Sequence, residues 1–132
     1  MIDDRTVLFV DDDEIFLQLL EMNLKDEAYD RLFATSGAEA LDILRREEIH
    51  VIVVDVVMPR MSGLELLKVV GKEFPHISTL VMSTYAQPTD IMTTMYEEGI
   101  HKYIAKPWNL DGDFVAVIRG AVDNYDLLGV AG

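Results

Sequence analysis

Short apolar runs alternate with helical stripes along most of the chain. Val7-Leu8-Phe9-Val10 is rich in β-branched and aromatic residues and stops at Asp11-Asp12-Asp13, the pattern of a buried strand running into an acidic loop. Phe16, Leu17, Leu20 and Leu24 then recur at helical spacing before Lys25-Asp26-Glu27, and residues 29–34 can form a second, shorter strand. Ser36 and Glu39 stand at the spacing of a capping box, opening a helix that carries Ala40, Leu41 and Leu44 on its inner side. His50 begins the next strand, Val51-Ile52-Val53-Val54 is apolar without alternation, and the run ends at Asp55. A second capping box, Ser62 with Glu65, opens a helix through Leu66, Leu67 and Val70 that must stop before Pro75. Residues 79–82 form the fourth strand, closed by Ser83 and Thr84; Pro88 opens a fourth helix that runs to Glu98, where Gly99 supplies the stop. Residues 102–105 are the fifth strand, and Phe114, Val117, Ile118, Ala121, Val122 and Tyr125 form the apolar stripe of a last helix.

Strand-then-helix units in succession, without repeats or low-complexity segments, predict a doubly wound α/β domain around a central five-stranded parallel sheet. The 132 residues suit one such domain, taken as residues 1–128 with a frayed end at 129–132. Half the residues are hydrophobic, enough for a core without metals or crosslinks. The chain has no cysteine, which removes disulfides, thiolate metal sites and cysteine nucleophiles and fits a reducing compartment. No apolar stretch approaches the length of a membrane span, and Asp3 and Asp4 stand where a signal peptide would be basic. The expected setting is cytoplasmic and soluble.

Charge narrows the partners. With 24 acidic against 11 basic side chains the formal net charge is −13, which repels phosphate backbones and anionic lipid. Proteins and cations are the expected partners, with no direct nucleic acid and no membrane.

Ligands of doubly wound sheets bind at the carboxyl ends of the strands. Here those ends carry Asp11 and Asp12, Asp55, Ser83 and Lys106. An aspartate after a strand is ordinarily a turn former or helix cap, and Asp13 and Glu14 read that way. Three carboxylates with a hydroxyl and a lysine on one edge are a different matter. Such carboxylates repel one another unless a cation is present, and a hard divalent ion with oxygen ligands, magnesium above all, suits them. Carboxylate, metal, lysine and hydroxyl are the parts needed to accept a phosphoryl group. Asp55, ending the central strand, is the best nucleophile, with Asp11 and Asp12 on the metal and Lys106 and Ser83 on the remaining phosphoryl oxygens.

Val10-Asp11-Asp12, Asp55-Val56-Val57-Met58-Pro59 with Met61-Ser62-Gly63, Ser83 and Lys106-Pro107 stand in an order and near spacings that resemble the receiver domains of two-component response regulators, across almost the whole chain. The resemblance implies phosphorylation of Asp55 by a histidine kinase or phosphotransfer protein. It implies magnesium held by Asp12 and Asp55, with Asp11 directly or through water, and by the Val57 backbone carbonyl. It also implies a switch in which the Ser83 hydroxyl moves toward the phosphoryl group and Tyr103 turns inward, altering the face of the fourth helix, fifth strand and fifth helix. Lys106-Pro107 is usually a cis peptide in that family. Such a domain catalyses its own phosphotransfer and dephosphorylation and turns over no free metabolite. Its output is a further domain of a longer chain or a separate protein, and a homodimer through the switch face belongs to the same expectation.

Thr84 follows Ser83 where the family usually has a small residue and is expected to narrow access to the phosphoryl site; Val57 and Tyr85, two beyond Asp55 and Ser83, are bulky or apolar and are expected to exclude the water that removes the phosphoryl group. The stretches around Ser83-Thr84-Tyr85-Ala86, Gly99-Ile100-His101 and Lys106-Pro107-Trp108-Asn109 resemble receivers often fused to HD-GYP phosphodiesterases or sensor kinases. His50, His76 and His101 are scattered and read as surface or strand-end residues; Trp108 reads as a plug over its loop. Ile91, Met92, Met95 and Tyr96 on the fourth helix read by themselves as core and surface packing, and the resemblance, in which that helix faces partners, implies an interface there. Two alternatives remain at this level. One is a haloacid-dehalogenase-type phosphatase, with Asp11 as nucleophile in Asp11-Asp12-Asp13; the other is a pseudo-receiver acting by protein contacts alone.

Overall fold

The computed structural model describes residues 5–55, 58, 61–83, 102–105, 112–123 and 125. Its strands are β1 (Thr6–Val10), β2 (Asp30–Ala34), β3 (Val51–Asp55), β4 (Ser78–Ser83) and β5 (Lys102–Ala105). They form one parallel sheet in the order β2-β1-β3-β4-β5. Three helices, α1 (Glu14–Leu24), α2 (Gly37–Arg46) and α3 (Gly63–Glu73), and a C-terminal helix (Gly112–Asp123) cover it. The predicted strands recur with bounds moved by a residue at most: β2 starts at Asp30, β3 at Val51, and β4 takes in Ser78 and Ser83. The predicted fourth helix over 88–98 lies outside the described residues, as do Thr84, Tyr85, His101, Trp108 and the end at 129–132.

Strands β1 to β4 send alternate side chains to opposite faces, and two cores result. Leu8, Val10, Ile52, Val54 and Val81 pack with Leu41, Leu44, Leu66, Leu67 and Val70 of α2 and α3. Val7, Phe9, Val51, Val53, Leu80 and Met82 pack with Phe16, Leu17, Leu20 and Leu24 of α1 and with Phe114, Ile118, Ala121 and Val122 of the C-terminal helix. Burial on both faces explains the unbroken apolar run of β3, since each such side chain contributes about 1.5–3 kcal/mol when fully buried.

Helix starts follow the local chemistry. Ser36 Oγ accepts the Glu39 N–H at 3.1 Å and Ser62 Oγ accepts the Glu65 N–H at 3.2 Å. The first box differs from the simplest form in its return bond: Glu39 Oε1 accepts the backbone N–H of Thr35, one residue ahead of the cap, at 2.6 Å. At the opposite end of the sheet from the acidic loop, His50 joins three strands. Its Nδ1 accepts the Thr6 N–H at 3.0 Å, its N–H donates to the Thr6 carbonyl, and its carbonyl accepts the Ser78 N–H at 2.9 Å. A ring nitrogen that accepts leaves the proton on Nε2, which lies 3.0 Å from Glu48 Oε1. His50 is a buried strand-end residue, as its position in the sequence implied.

Candidate functional site

Strand polarity brings the acidic residues together. Asp11 follows β1 directly and is fully buried; its N–H donates to the Ala34 carbonyl at 3.1 Å, extending the β1·β2 ladder by one bond. Its Oδ1 accepts the backbone N–H of Asp13 at 2.9 Å. Asp55 ends β3 next to β1 and is 7% exposed, whereas Asp12 is exposed at the rim. One carboxylate oxygen from each of Asp11, Asp12 and Asp55 lies within 4.8 Å of the others. This is the group foreseen from the sequence, assembled from two neighbouring strands.

The backbone beneath Asp55 is fixed by close packing. Gly63, the first residue of α3, sits where a Cβ would overlap the carbonyl oxygen of Asp55, so the helix start rests directly on the end of β3. Met58 in the intervening loop is buried in the α2/α3 core.

The donor set fits a hard divalent cation. All three groups are carboxylates, two of them buried, and hard oxygens packed this closely are the ligands magnesium or calcium takes. Magnesium commonly uses one or two carboxylates and keeps open positions for water and phosphate oxygens, which suits a cluster whose third member faces solvent. Ser83 ends β4 on the same edge, one residue past Met82, which pairs with Asp55. It pairs with Ala105, the residue before Lys106, and Tyr103 pairs with Val81. The Ser83 and Tyr103 side chains, and Val57, Lys106 and Pro107 entirely, lie outside the described residues.

Asp13 has another employment. Its Oδ1 accepts the N–H groups of Ile15 at 3.1 Å and Phe16 at 3.2 Å as the N-cap of α1, and it is not among the clustered carboxylates. A phosphatase with Asp11 and Asp13 as its Asp-x-Asp catalytic pair would need that carboxylate in the site.

Sequence reasoning missed three features. The close approach of Gly63 to Asp55 leaves no mark in sequence beyond the glycine itself. The bond from the Asp13 N–H to Asp11 follows from turn geometry that the acidic run only hints at. Ile15, Leu19 and Met22 form an exposed apolar stripe on α1, with Ile15 70% and Met22 67% exposed. The excess of apolar residues over one helix face was the available signal for it.

The family model described as "Response regulator receiver domain" matches residues 7–118. The hydrogenase transcriptional regulatory protein HoxA of Cupriavidus necator is 38% identical over 124 residues, which are 94% of this chain and 25% of that protein. The DNA-binding transcriptional regulator NtrC of Escherichia coli K12 is 30% identical over 119 residues, 90% of this chain and 25% of that protein. The chain thus spans about a quarter of the length of these curated relatives. The crystal structure of the signal receiver domain of an HD domain-containing protein from Pseudomonas fluorescens Pf-5 aligns with a TM-score of 0.86 at 25% identity, covering 93% of this chain and 98% of that one.

Proposed function

The chain belongs to the receiver domains of two-component response regulators, and from that premise we propose that Asp55 is its phosphoacceptor, in a cation site completed by Asp11, Asp12 and the Val57 carbonyl. The observation that carries this reading is the convergence of Asp11, Asp12 and Asp55 at the carboxyl edge of β1 and β3. The receiver is taken as residues 1–128.

A carboxylate oxygen of Asp55 attacks the phosphorus of a phosphohistidine, the P–N bond breaks, and the imidazole nitrogen leaves with the electron pair and takes up a proton. The product is an acyl phosphate on Asp55. When bound, magnesium supplies charge neutralisation for the phosphoryl oxygens. The Lys106 ammonium and Ser83 hydroxyl would bind the other oxygens, and Ser83 with Tyr103 would relay occupancy to the β5 side of the domain. Among the described residues of the cluster, Asp12 is the exposed one, and the donor would enter on its side. Val57 and Tyr85 would slow the water that hydrolyses the acyl phosphate to carboxylate and inorganic phosphate, and Thr84 would narrow access to the phosphoryl site.

The donor is a sensor histidine kinase or a phosphotransfer protein. Its histidine would approach Asp55 from the Asp12 side, where α1 begins, and the exposed Ile15, Leu19, Met22 stripe would give that surface an apolar face for docking. The output is a further domain of a longer parent chain or a separate target, and self-association through the β5 side is part of the same proposal. Among the described residues no helix is long and apolar enough to cross a membrane.

The test is intact-mass analysis after incubation with acetyl phosphate and magnesium, set beside transfer from a purified phosphohistidine donor. Wild type should gain one hydroxylamine-labile phosphoryl group that chelation or Asp55→Ala abolishes. The Ile15→Ser/Met22→Ser variant should lose transfer from the protein donor while keeping labelling by acetyl phosphate. Label that persists in Asp55→Ala but vanishes in Asp11→Ala would establish the phosphatase chemistry instead.

A further inference from the structure

The geometry of the carboxylate cluster depends on a residue outside it. Asp13 makes two kinds of hydrogen bond in opposite directions: its carboxylate accepts the N–H groups of Ile15 and Phe16 at the start of α1, and its own N–H donates to Asp11 Oδ1. The cap fixes where Asp13 sits relative to the helix, and so fixes the direction of the amide that holds the Asp11 carboxylate. Asp12 lies between the two anchors. On its other side the Asp11 N–H is held by the Ala34 carbonyl of β2. Residues 11–13 are thus pinned to the sheet at one end and to α1 at the other.

We propose that Asp13 is a positioning residue for the cation site, its capping carboxylate holding the turn so that Asp11 and Asp12 face Asp55. This rests on the reading of the cluster as a cation site. A rival account is that Asp13 serves by charge alone, since one more carboxylate next to the cluster draws cations whatever its bonds. The two accounts separate chemically. Asparagine caps a helix about as well as aspartate but carries no charge, whereas alanine neither caps nor carries charge.

The experiment is titration of the full chain with magnesium chloride by calorimetry in wild type, Asp13→Asn, Asp13→Ala and Asp12→Ala. Amide hydrogen exchange at residue 13, measured without metal, accompanies it, and thermal melting confirms that each variant is folded. Asp13→Ala should bind magnesium about tenfold or more weakly, the scale on which outer-shell partners act, and its residue-13 amide should exchange faster. Asp13→Asn should stay close to wild type in both readouts. Asp13→Gly, tolerated at N-caps yet unable to accept a bond, repeats the test should the alanine chain fold poorly. Equal weakening in the asparagine and alanine variants overturns the proposal in favour of charge alone. Unchanged binding in Asp13→Ala, with binding lost in Asp12→Ala, overturns it while leaving the site intact. Absence of saturable binding in wild type overturns the cation reading and this inference with it.

Discussion

At Gly63 the first turn of α3 comes so close to the end of β3 that a Cβ would overlap the carbonyl oxygen and carbon of Asp55 and crowd Val54 Cγ1. Replacing a helical glycine by alanine ordinarily stabilises by up to about 1 kcal/mol. Here the sign reverses, because the obstacle is backbone that cannot step aside without moving Asp55. Gly63→Ala should lower the unfolding free energy by about 1–3 kcal/mol, the usual cost of overpacking, and should slow acetyl phosphate labelling of Asp55. Urea titration and intact mass measure the two effects, and unchanged values in both would show that α3 can shift freely from β3. Gly37 makes a useful contrast, since a Cβ there would meet Met61 Sδ, the mobile part of a flexible side chain. The two glycines look alike in sequence, each following a capping serine, so only the tertiary approach tells them apart.

The elements are joined by contacts that run far along the chain, and one of them is titratable. Glu27, in the turn after α1, receives Arg119 Nε at 2.8 Å and Nη2 at 2.6 Å from the C-terminal helix. The hydrogen bond from Arg119 holds the Glu27 carboxyl below its ordinary value of 4.5, with burial opposing and the charges of Arg119 and Arg31 assisting. A carboxyl depressed on folding contributes stability that is present above its unfolded pKa and is lost as pH falls through its folded pKa. Wild type should therefore lose stability more steeply below about pH 4.5 than Glu27→Gln, and parallel denaturation curves for the two at pH 6, 4 and 3 would refute the coupling. This pair was not legible beforehand, because nothing local joins residues separated by 92 positions. The elements themselves were. Apolar periodicity, two serine caps and strand-ending aspartates gave the succession of strands and helices and the parallel sheet, since each is a short-range consequence of burial and backbone hydrogen bonding, whereas the strand order and the division into two cores emerge only in the fold. The three-carboxylate group was legible for the same reason, being fixed by strand ends. The stripe of Ile15, Leu19 and Met22 was hidden by its interleaving with the buried residues of α1.

Across the whole molecule, charge and site oppose each other. The chain carries a formal charge of −13, and among the described residues three of its carboxylates, Asp11, Asp12 and Asp55, gather at the site. Two unit charges about 5 Å apart repel by about 3 kcal/mol at an effective dielectric near 20. The arrangement is therefore costly without a cation and favourable with one, so stability and function should separate in the Asp12→Asn variant. Without metal, that variant should be more stable than wild type by roughly 1 kcal/mol, a reduced figure because Asp12 is exposed and screened. With magnesium the order should invert. A ligand at a hundred times its Kd adds about 2.7 kcal/mol to a chain that binds it and nothing to one that does not. Sodium chloride at matched ionic strength screens the overall charge without filling the site, and should raise the melting temperature of both chains alike. Melting curves in the two salts thus isolate the specific part of the magnesium effect. Equal responses of wild type and Asp12→Asn to magnesium would mean that the ion acts only by screening, and the cluster would then be a repulsive feature with some purpose other than holding a cation.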